Sequence, residues 1–148
     1  MSKYKTGPVK KFTGPTLVGG SKAKTVIIAG TIGKSDVIDQ LVASKKINVD
    51  AIKGKWESFV SEVITSPIPG VDRALVIAGS DLRGTIFGLY DISEQSGVSP
   101  WYWFADVPVR KSNGVWALGK KKVQKAPSVK YRGIFINDEQ PGLTNWIK

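Results

Sequence analysis

The sequence predicts an α/β fold, a layered domain with a mixed sheet, from two similar units along the chain. Two apolar runs, VIIAG and LVIAG, end in a glycine, and each leads into a segment with helical apolar spacing. Unbroken apolar runs of this kind are typical of strands covered on both faces. Two strand–glycine–helix units indicate helices layered on a sheet. At 148 residues the chain can hold one well-buried domain and the beginning of another.

The first unit places a strand over residues 25–30 and a helix after it. Ser35 is positioned to cap that helix, since its hydroxyl can accept an N–H of the first turn. Asp36 lies near the helix N-terminus and Lys45 and Lys46 near its C-terminus, which suits the helix dipole. The apolar positions of this helix are Val37, Ile38, Leu41 and Val42.

The second unit is predicted to pack its helix tightly on the sheet. Ser80 and Asp81 can cap this helix, and Gly97 ends it. Gly84 and Gly88 each cost roughly 1 kcal/mol relative to alanine inside a helix. Close approach of the helix to the sheet would compensate for that cost. The same helix carries one apolar stripe, formed by Leu82, Ile86, Leu89 and Tyr90.

The segment between the two units, residues 56–65, fits either a helix or a strand. Its apolar residues have helical spacing, but it is rich in β-branched and aromatic residues and is bounded by Gly54 and Pro67. Its composition favours a strand. The SPIPG motif that follows predicts a turn.

The rest of the chain is predicted to be mainly extended. An aromatic strand is expected over residues 101–106, and a hairpin over 107–118. Residues 120–128 have the composition of a basic linker, and a new strand is expected over 131–136. Asn137, Asp138 and Glu139 follow that strand directly.

Composition excludes several kinds of chemistry. The sequence contains no cysteine and no histidine. These absences exclude disulfides, thiol nucleophiles, histidine bases and most zinc or iron sites. Carboxylates, lysines, arginines and backbone dipoles remain, and we expect neither a cofactor nor a metal.

The charge distribution argues against nucleic acid as the partner, although the net charge is +10. Most lysines lie near the two ends, and arginine occurs only four times. This distribution is typical of solvated loops and a tail. No segment approaches the ~20 apolar residues of a membrane span. No signal peptide is visible in the first twenty residues.

Two glycine-containing loops resemble phosphate-binding loops, but each departs from the required pattern. GTIGKS has Ile28 where the Walker pattern needs its first glycine, and GSDLRG has Thr85 where it needs lysine. A nucleotide-binding domain is therefore disfavoured.

Two groups of residues are candidates for a functional site. On a strand, Trp101 and Trp103 would share one face, where their rings could stack on sugars or pack against a neighbouring domain. Asp138 and Glu139 follow a predicted strand, which in a barrel enzyme is the rim where catalytic groups concentrate. The alternative for these two acids is a solvated loop.

A resemblance to a known family favours the catalytic interpretation. The segments GSDLRGTIFGLYDISEQSGVSPWYWFADVPV and KAPSVKYRGIFINDEQPGLTNW closely resemble the N-terminal part of glycoside hydrolase family 115, and the likeness extends more weakly back to VIIAGTIGKSDVIDQL. This family comprises xylan α-1,2-glucuronidases, which remove (4-O-methyl-)glucuronic acid side groups from xylan. The resemblance implies a basic lead-in over residues 1–12, an α/β accessory domain over 13–126, and the start of a (β/α)8 catalytic barrel over 127–148.

The resemblance also implies roles for individual residues. Residues 131–137 correspond to the first barrel strand of a truncated barrel, with Asn137 binding substrate and Asp138 and Glu139 as catalytic candidates. Trp101 and Trp103 would lie near the domain boundary as sugar contacts, and Arg83 would be an interdomain ion-pair partner. The resemblance implies an inverting glycosidase, which needs two carboxyl groups across the scissile bond, and this chain supplies at most one side of that pair.

The resemblance implies glucuronoxylan or its oligosaccharides as the partner of the full enzyme. It also implies that the full enzyme is secreted, and it is compatible with a homodimer. The fragment alone is expected to be inactive and to expose apolar surface along residues 134–136. The alternative hypothesis is a free-standing basic module that binds acidic polysaccharide or nucleic acid.

Overall fold

One mixed four-stranded sheet carries a helix on each face. The computed structural model of the protein describes residues 25–99, 101, 108, 120–133 and 135. In chain order the elements are β1 (Thr25–Thr31), α1 (Asp36–Ala43), β2 (Phe59–Thr65), β3 (Arg73–Gly79), α2 (Leu82–Gln95) and β4 (Lys122–Gln124). The predicted α/β class, its mixed sheet and both strand–helix units are therefore confirmed.

The sheet has the order β1-β3-β2-β4. β1 runs parallel to β3, pairing Thr31 with Gly79, whereas β2 is antiparallel to both β3 and β4. The strand prediction for residues 56–65 is correct from Phe59 onward. A strand forms here because β3 and β4 satisfy its backbone groups on both sides, and Phe59 and Val60 are buried.

The larger core lies between α1 and one face of the sheet. Ile38 and Leu41 are the buried residues of α1, as its apolar spacing predicts. They join alternate residues of the strands, because successive side chains point to opposite faces. The core cluster consists of Ile38, Leu41, Ile47, Val49, Ile52, Val60, Ile64, Ala74, Val76 and Ala78.

On the other face, α2 approaches the sheet through its smallest residues. Gly84, Thr85 and Gly88 are the buried residues of this helix. A Cβ atom added to Gly84 would lie 2.2 Å from the carbonyl oxygen of Ser58, so only glycine allows this contact. The predicted close approach is therefore confirmed. The apolar stripe of α2 points away from the sheet, and Tyr90 is 67% exposed.

The ends of the helices follow the predictions in part. Asp81 caps α2, accepting the Gly84 N–H at 2.7 Å, and Gly97 has a φ of 93° after the C-cap. Ser35 occupies the N-cap position of α1, but its side chain makes no capping bond. Lys45 and Lys46 lie near the C-terminus of α1 as predicted, but beyond its last turn, because α1 ends at Ala43. The Lys46 Nζ donates to the carbonyl of Ser66 at 2.6 Å.

Three predictions for the later part of the chain need correction. The expected linker at 120–128 contains β4, because the free edge of β2 offers it hydrogen bonds. The expected strand at 131–136 is not found at 131–133 or 135, since a strand needs a neighbouring strand to pair with and the described residues supply none there. Trp101 is helical instead of extended. Its N–H donates to Ser99 Oγ at 3.2 Å, as at a helix N-cap.

Several predictions lie outside the described residues. These are the lead-in over residues 1–12, the remainder of the aromatic strand, and the hairpin over 107–118 apart from Pro108, which is in no strand.

Candidate functional site

A buried carboxylate stands two residues before β2. The side chain of Glu57 is only 6% exposed. Its backbone has a φ of 50°, a left-handed conformation that is uncommon for residues other than glycine. The Glu57 N–H donates to Asp81 Oδ2 at 2.9 Å, so the carboxylate that caps α2 also holds this strained position. Glu57 is therefore fixed by its backbone as well as by its side chain.

Two arginines share the Glu57 carboxylate, and the three residues are called the Glu57 cluster below. Arg83 Nε on α2 lies 3.0 Å from Glu57 Oε1. Arg132, from the segment after β4, pairs with Glu57 Oε2 and also donates to the Val129 carbonyl. A charge-assisted bond thus engages each carboxylate oxygen. A carboxylate with both oxygens engaged in this way is suited to holding its two partners in position.

Aromatic rings flank both guanidinium groups. The Arg132 Cζ atom lies 5.8 Å from the centroid of the Trp56 ring, and the Arg83 Cζ atom lies 5.9 Å from that of Phe87. Arginine stacks on aromatic faces while its N–H groups stay free for planar acceptors. The rings therefore restrict the directions in which the two arginines can reach Glu57.

Glu57 and Arg132 of this cluster line an open cavity of about 290 Å³ between α2 and β4. Phe87 and Tyr90 contribute rings to its wall, and Lys125 and Glu94 contribute charges. Aromatic rings with polar groups nearby can accommodate a sugar ring, and they are equally common in ordinary apolar packing.

The carboxyl ends of β1 and β3 meet at one edge of the sheet, where a nucleotide-binding domain would hold phosphate. There Asp81 accepts the Gly84 N–H, and Asp39 accepts the Gly33 N–H at 2.8 Å. The chain's own carboxylates occupy the donors that a phosphate would use. This geometry agrees with rejecting the two glycine loops as phosphate sites.

The structure describes one of the five predicted site residues. Trp101 is 61% exposed. Trp103, Asn137, Asp138 and Glu139 lie outside the described residues. Phe135 is 90% exposed, as expected for the apolar surface predicted along residues 134–136, of which the other two residues are not described.

Two members of the Glu57 cluster, Glu57 and Arg132, were not predicted from the sequence. Glu57 stands as a lone acid in GKWESFV, and Arg132 lies 75 positions away. No local spacing links them. Arg83 was predicted to pair between domains; its partner Glu57 lies within the same predicted domain, over residues 13–126, and Arg132 supplies the contact from residues 127–148.

Two further classes of site are absent from the part of the chain that the structure describes. Within those residues no three His, Cys, Asp or Glu side chains come together as metal ligands. None of the described helices has the length and apolar character needed to cross a membrane.

Comparison with known proteins gives two matches. The model of the family described as Glycosyl hydrolase family 115 matches residues 124–148. Among solved structures, the chain matches BtGH115A, a family GH115 4-O-methyl-α-glucuronidase with specificity for decorated arabinogalactans, at 45% identity and a TM-score of 0.66. The alignment covers 81% of this chain and 14% of that one. No match was found among the curated proteins. Together, the sequence match and the structural match assign the chain to glycosyl hydrolase family 115.

Proposed function

We propose that this chain is the N-terminal part of a glycoside hydrolase that removes (4-O-methyl-)glucuronic acid side groups from a polysaccharide. The observation that carries the proposal is the 45% identity to a 4-O-methyl-α-glucuronidase across 81% of the chain. The chain spans 14% of that relative's length, so the activity belongs to a longer polypeptide.

In this proposal the chain contains an accessory domain and the start of the catalytic domain. The α/β sheet domain corresponds to residues 13–126, and the catalytic domain begins within 127–148. Supporting this division, β4 ends at Gln124 and the match to the family begins at the same residue. The barrel's first strand would form only when its neighbouring strands are present to pair with it.

Asp138 and Glu139 are the proposed catalytic residues, and Asn137 is the proposed substrate-binding residue beside them. An inverting glycosidase uses two carboxyl groups roughly 6.5–9.5 Å apart, one as acid and one as base. Residues 137–139 lie within the segment that matches the family, and they supply one side of such a pair. The 148 residues alone would therefore be inactive.

We propose that the full enzyme recognises the glucuronic acid side group. The assay described below determines which polymer carries it. The resemblance implies xylan, whereas the name of the solved relative specifies decorated arabinogalactans. Both polymers can carry the same acidic side group, so the leaving sugar is common to the two expectations. Exposed Trp101 is a candidate contact for the sugar chain, together with Trp103.

The test is an assay of the longer polypeptide on glucuronoxylan and on a glucuronic acid-decorated arabinogalactan. We expect release of (4-O-methyl-)glucuronic acid from at least one polymer, with the first-formed product in the inverted anomeric form by NMR. Asp138→Asn and Glu139→Gln are the informative variants, and at least one should reduce kcat by 10²-fold or more, on the order expected for loss of acid–base catalysis. Absence of uronic acid release from both polymers would overturn the proposal.

The alternative hypothesis is a free-standing basic binding module, and the protein prepared for the assay can also test it. That module would be retained on an anionic column and released by salt, since it would bind by displacing counterions. Retention without any hydrolysis would favour it. Secretion and a homodimer of the full enzyme remain predictions, which culture fractionation and sedimentation can test.

A further inference from the structure

We propose that Glu57 is a positioning residue that holds, through Arg132, the segment leading into the proposed catalytic residues. This inference rests on the proposed function, because it assigns Asp138 and Glu139 to the chemistry. It adds a role for a residue of the accessory domain, which neither the family match nor the sequence pattern indicates.

The Glu57 end of this contact is rigid. Its N–H is held by Asp81, which also caps α2, so the helix and the start of β2 share one anchor. The next residue, Ser58, donates its N–H to Ser80 Oγ at 3.0 Å and accepts the Ser80 N–H at 2.9 Å. Glu57 therefore cannot shift without disturbing the joint between α2 and the sheet.

The Arg132 end depends on Glu57. Residues 128–133 are exposed and in no helix or strand, and Tyr131 is 86% exposed. A Cβ atom added to Gly133 would meet nothing within 4 Å. Among the described residues of 128–133, Arg132 is the residue whose side chain bonds to the sheet domain, and its partner there is Glu57. Within the part of the chain that the structure describes, side chains of this segment thus hold it to the sheet domain at one point.

The distance along the chain makes that attachment relevant to the site. Asp138 is six residues beyond Arg132, a reach of at most ~20 Å even when fully extended. A displacement of about 1 Å in a catalytic group can cost 10²-fold in rate. Because the Glu57 carboxylate has each oxygen engaged by a cation, it acts on the reaction through Arg132 and not by contacting the sugar.

The test compares Glu57→Gln with Arg132→Met in the longer polypeptide. Glutamine keeps the size of Glu57 and removes its charge, and methionine removes the guanidinium. For both we expect kcat to fall tenfold to hundredfold with KM within twofold, the order of a small misplacement. The double variant should lose no more than the worse single variant, because both changes remove one contact. Lys46→Met, which removes a tether on the opposite face, should leave kcat within twofold.

A second measurement does not depend on activity. Trypsin cleavage after Lys130 reports how freely this segment opens. Cleavage should be several-fold faster in Glu57→Gln and Arg132→Met than in wild type or Lys46→Met, measured by mass spectrometry at a temperature where all four proteins are folded.

The outcomes separate the two proposals. An active wild type with kcat unchanged in both variants overturns the positioning role, whatever trypsin shows. Faster cleavage together with the loss in kcat supports it. A wild type that releases no uronic acid overturns the proposed function and the catalytic role of the contact, even if the cleavage rates confirm the attachment itself.

Discussion

Replacement of Gly84 by alanine tests the packing of α2 directly, because propensity and packing predict opposite signs. Propensity alone predicts stabilisation by about 1 kcal/mol, since alanine is the better residue inside a helix. In the structure, however, the new Cβ would lie 2.2 Å from the Ser58 carbonyl oxygen, closer than Cβ atoms are found to approach. The obstacle is backbone, so α2 and β2 must separate by close to an ångström.

The expected cost outweighs the propensity gain. Overpacking of this kind costs about 1–3 kcal/mol, and the Ser58 oxygen also accepts hydrogen bonds from the Ser80 N–H and hydroxyl. Loss or lengthening of these bonds adds about 1 kcal/mol each. We therefore expect Gly84→Ala to lower the free energy of unfolding by about 2–4 kcal/mol after the helix gain is subtracted.

Urea unfolding followed by far-UV circular dichroism measures this change. Gly133→Ala is the matched control, since its Cβ would meet nothing within 4 Å, and its free energy of unfolding should stay within ±0.5 kcal/mol of wild type. If Gly84→Ala were as stable as wild type or more so, α2 could not lie on the sheet through its glycines, and the reasoning would be refuted.

Two further changes test the role of Asp81 at the joint between α2 and the sheet, and the position of the hydrophobic core. Asp81→Ala removes the cap on Gly84 and the acceptor for the Glu57 N–H, and should cost about 1.5–3 kcal/mol in the same urea assay, whereas Asp81→Asn should retain most of the stability. Ile38→Ala should cost about 2–5 kcal/mol, because Ile38 is fully buried, and Ile27→Ala should cost well under 1 kcal/mol, because Ile27 is 63% exposed. Equal midpoints for the two isoleucine variants would contradict the placement of the core.

The sequence was sufficient for the parts of the fold that follow from local chemistry. The apolar runs ending in glycine mark β1 and β3, and Asp81 caps α2, because each depends on residues within a few positions. The composition of residues 56–65 favoured a strand, and pairing with β3 and β4 forms one from Phe59 onward. β4 was missed because a polar segment becomes a strand only when a distant edge offers it partners.

The face of α2 that packs on the sheet could not be predicted from its apolar pattern. Its large apolar residues form a regular stripe, yet the helix turns Gly84 and Gly88 to the sheet. The glycines bring two backbones together, and a stripe of large side chains at the interface would hold them apart. Apolar periodicity therefore identified the helix correctly but did not indicate which side packs on the sheet.

The Glu57 cluster could not be read from the sequence for a related reason. Its three members come from the turn before β2, from α2 and from the segment after β4, so only the completed sheet brings them together. Formation of the cluster also depends on how α2 packs on the sheet. Gly84 allows α2 to reach Ser58, Asp81 then reaches the Glu57 N–H, and the fixed carboxylate receives Arg132. If the fixed Glu57 carboxylate holds Arg132 as proposed, Gly84→Ala should also accelerate trypsin cleavage after Lys130, although Gly84 touches neither Lys130 nor Arg132. The control Gly133→Ala lies beside Arg132 but leaves the joint intact, so proximity along the chain would not produce the same change.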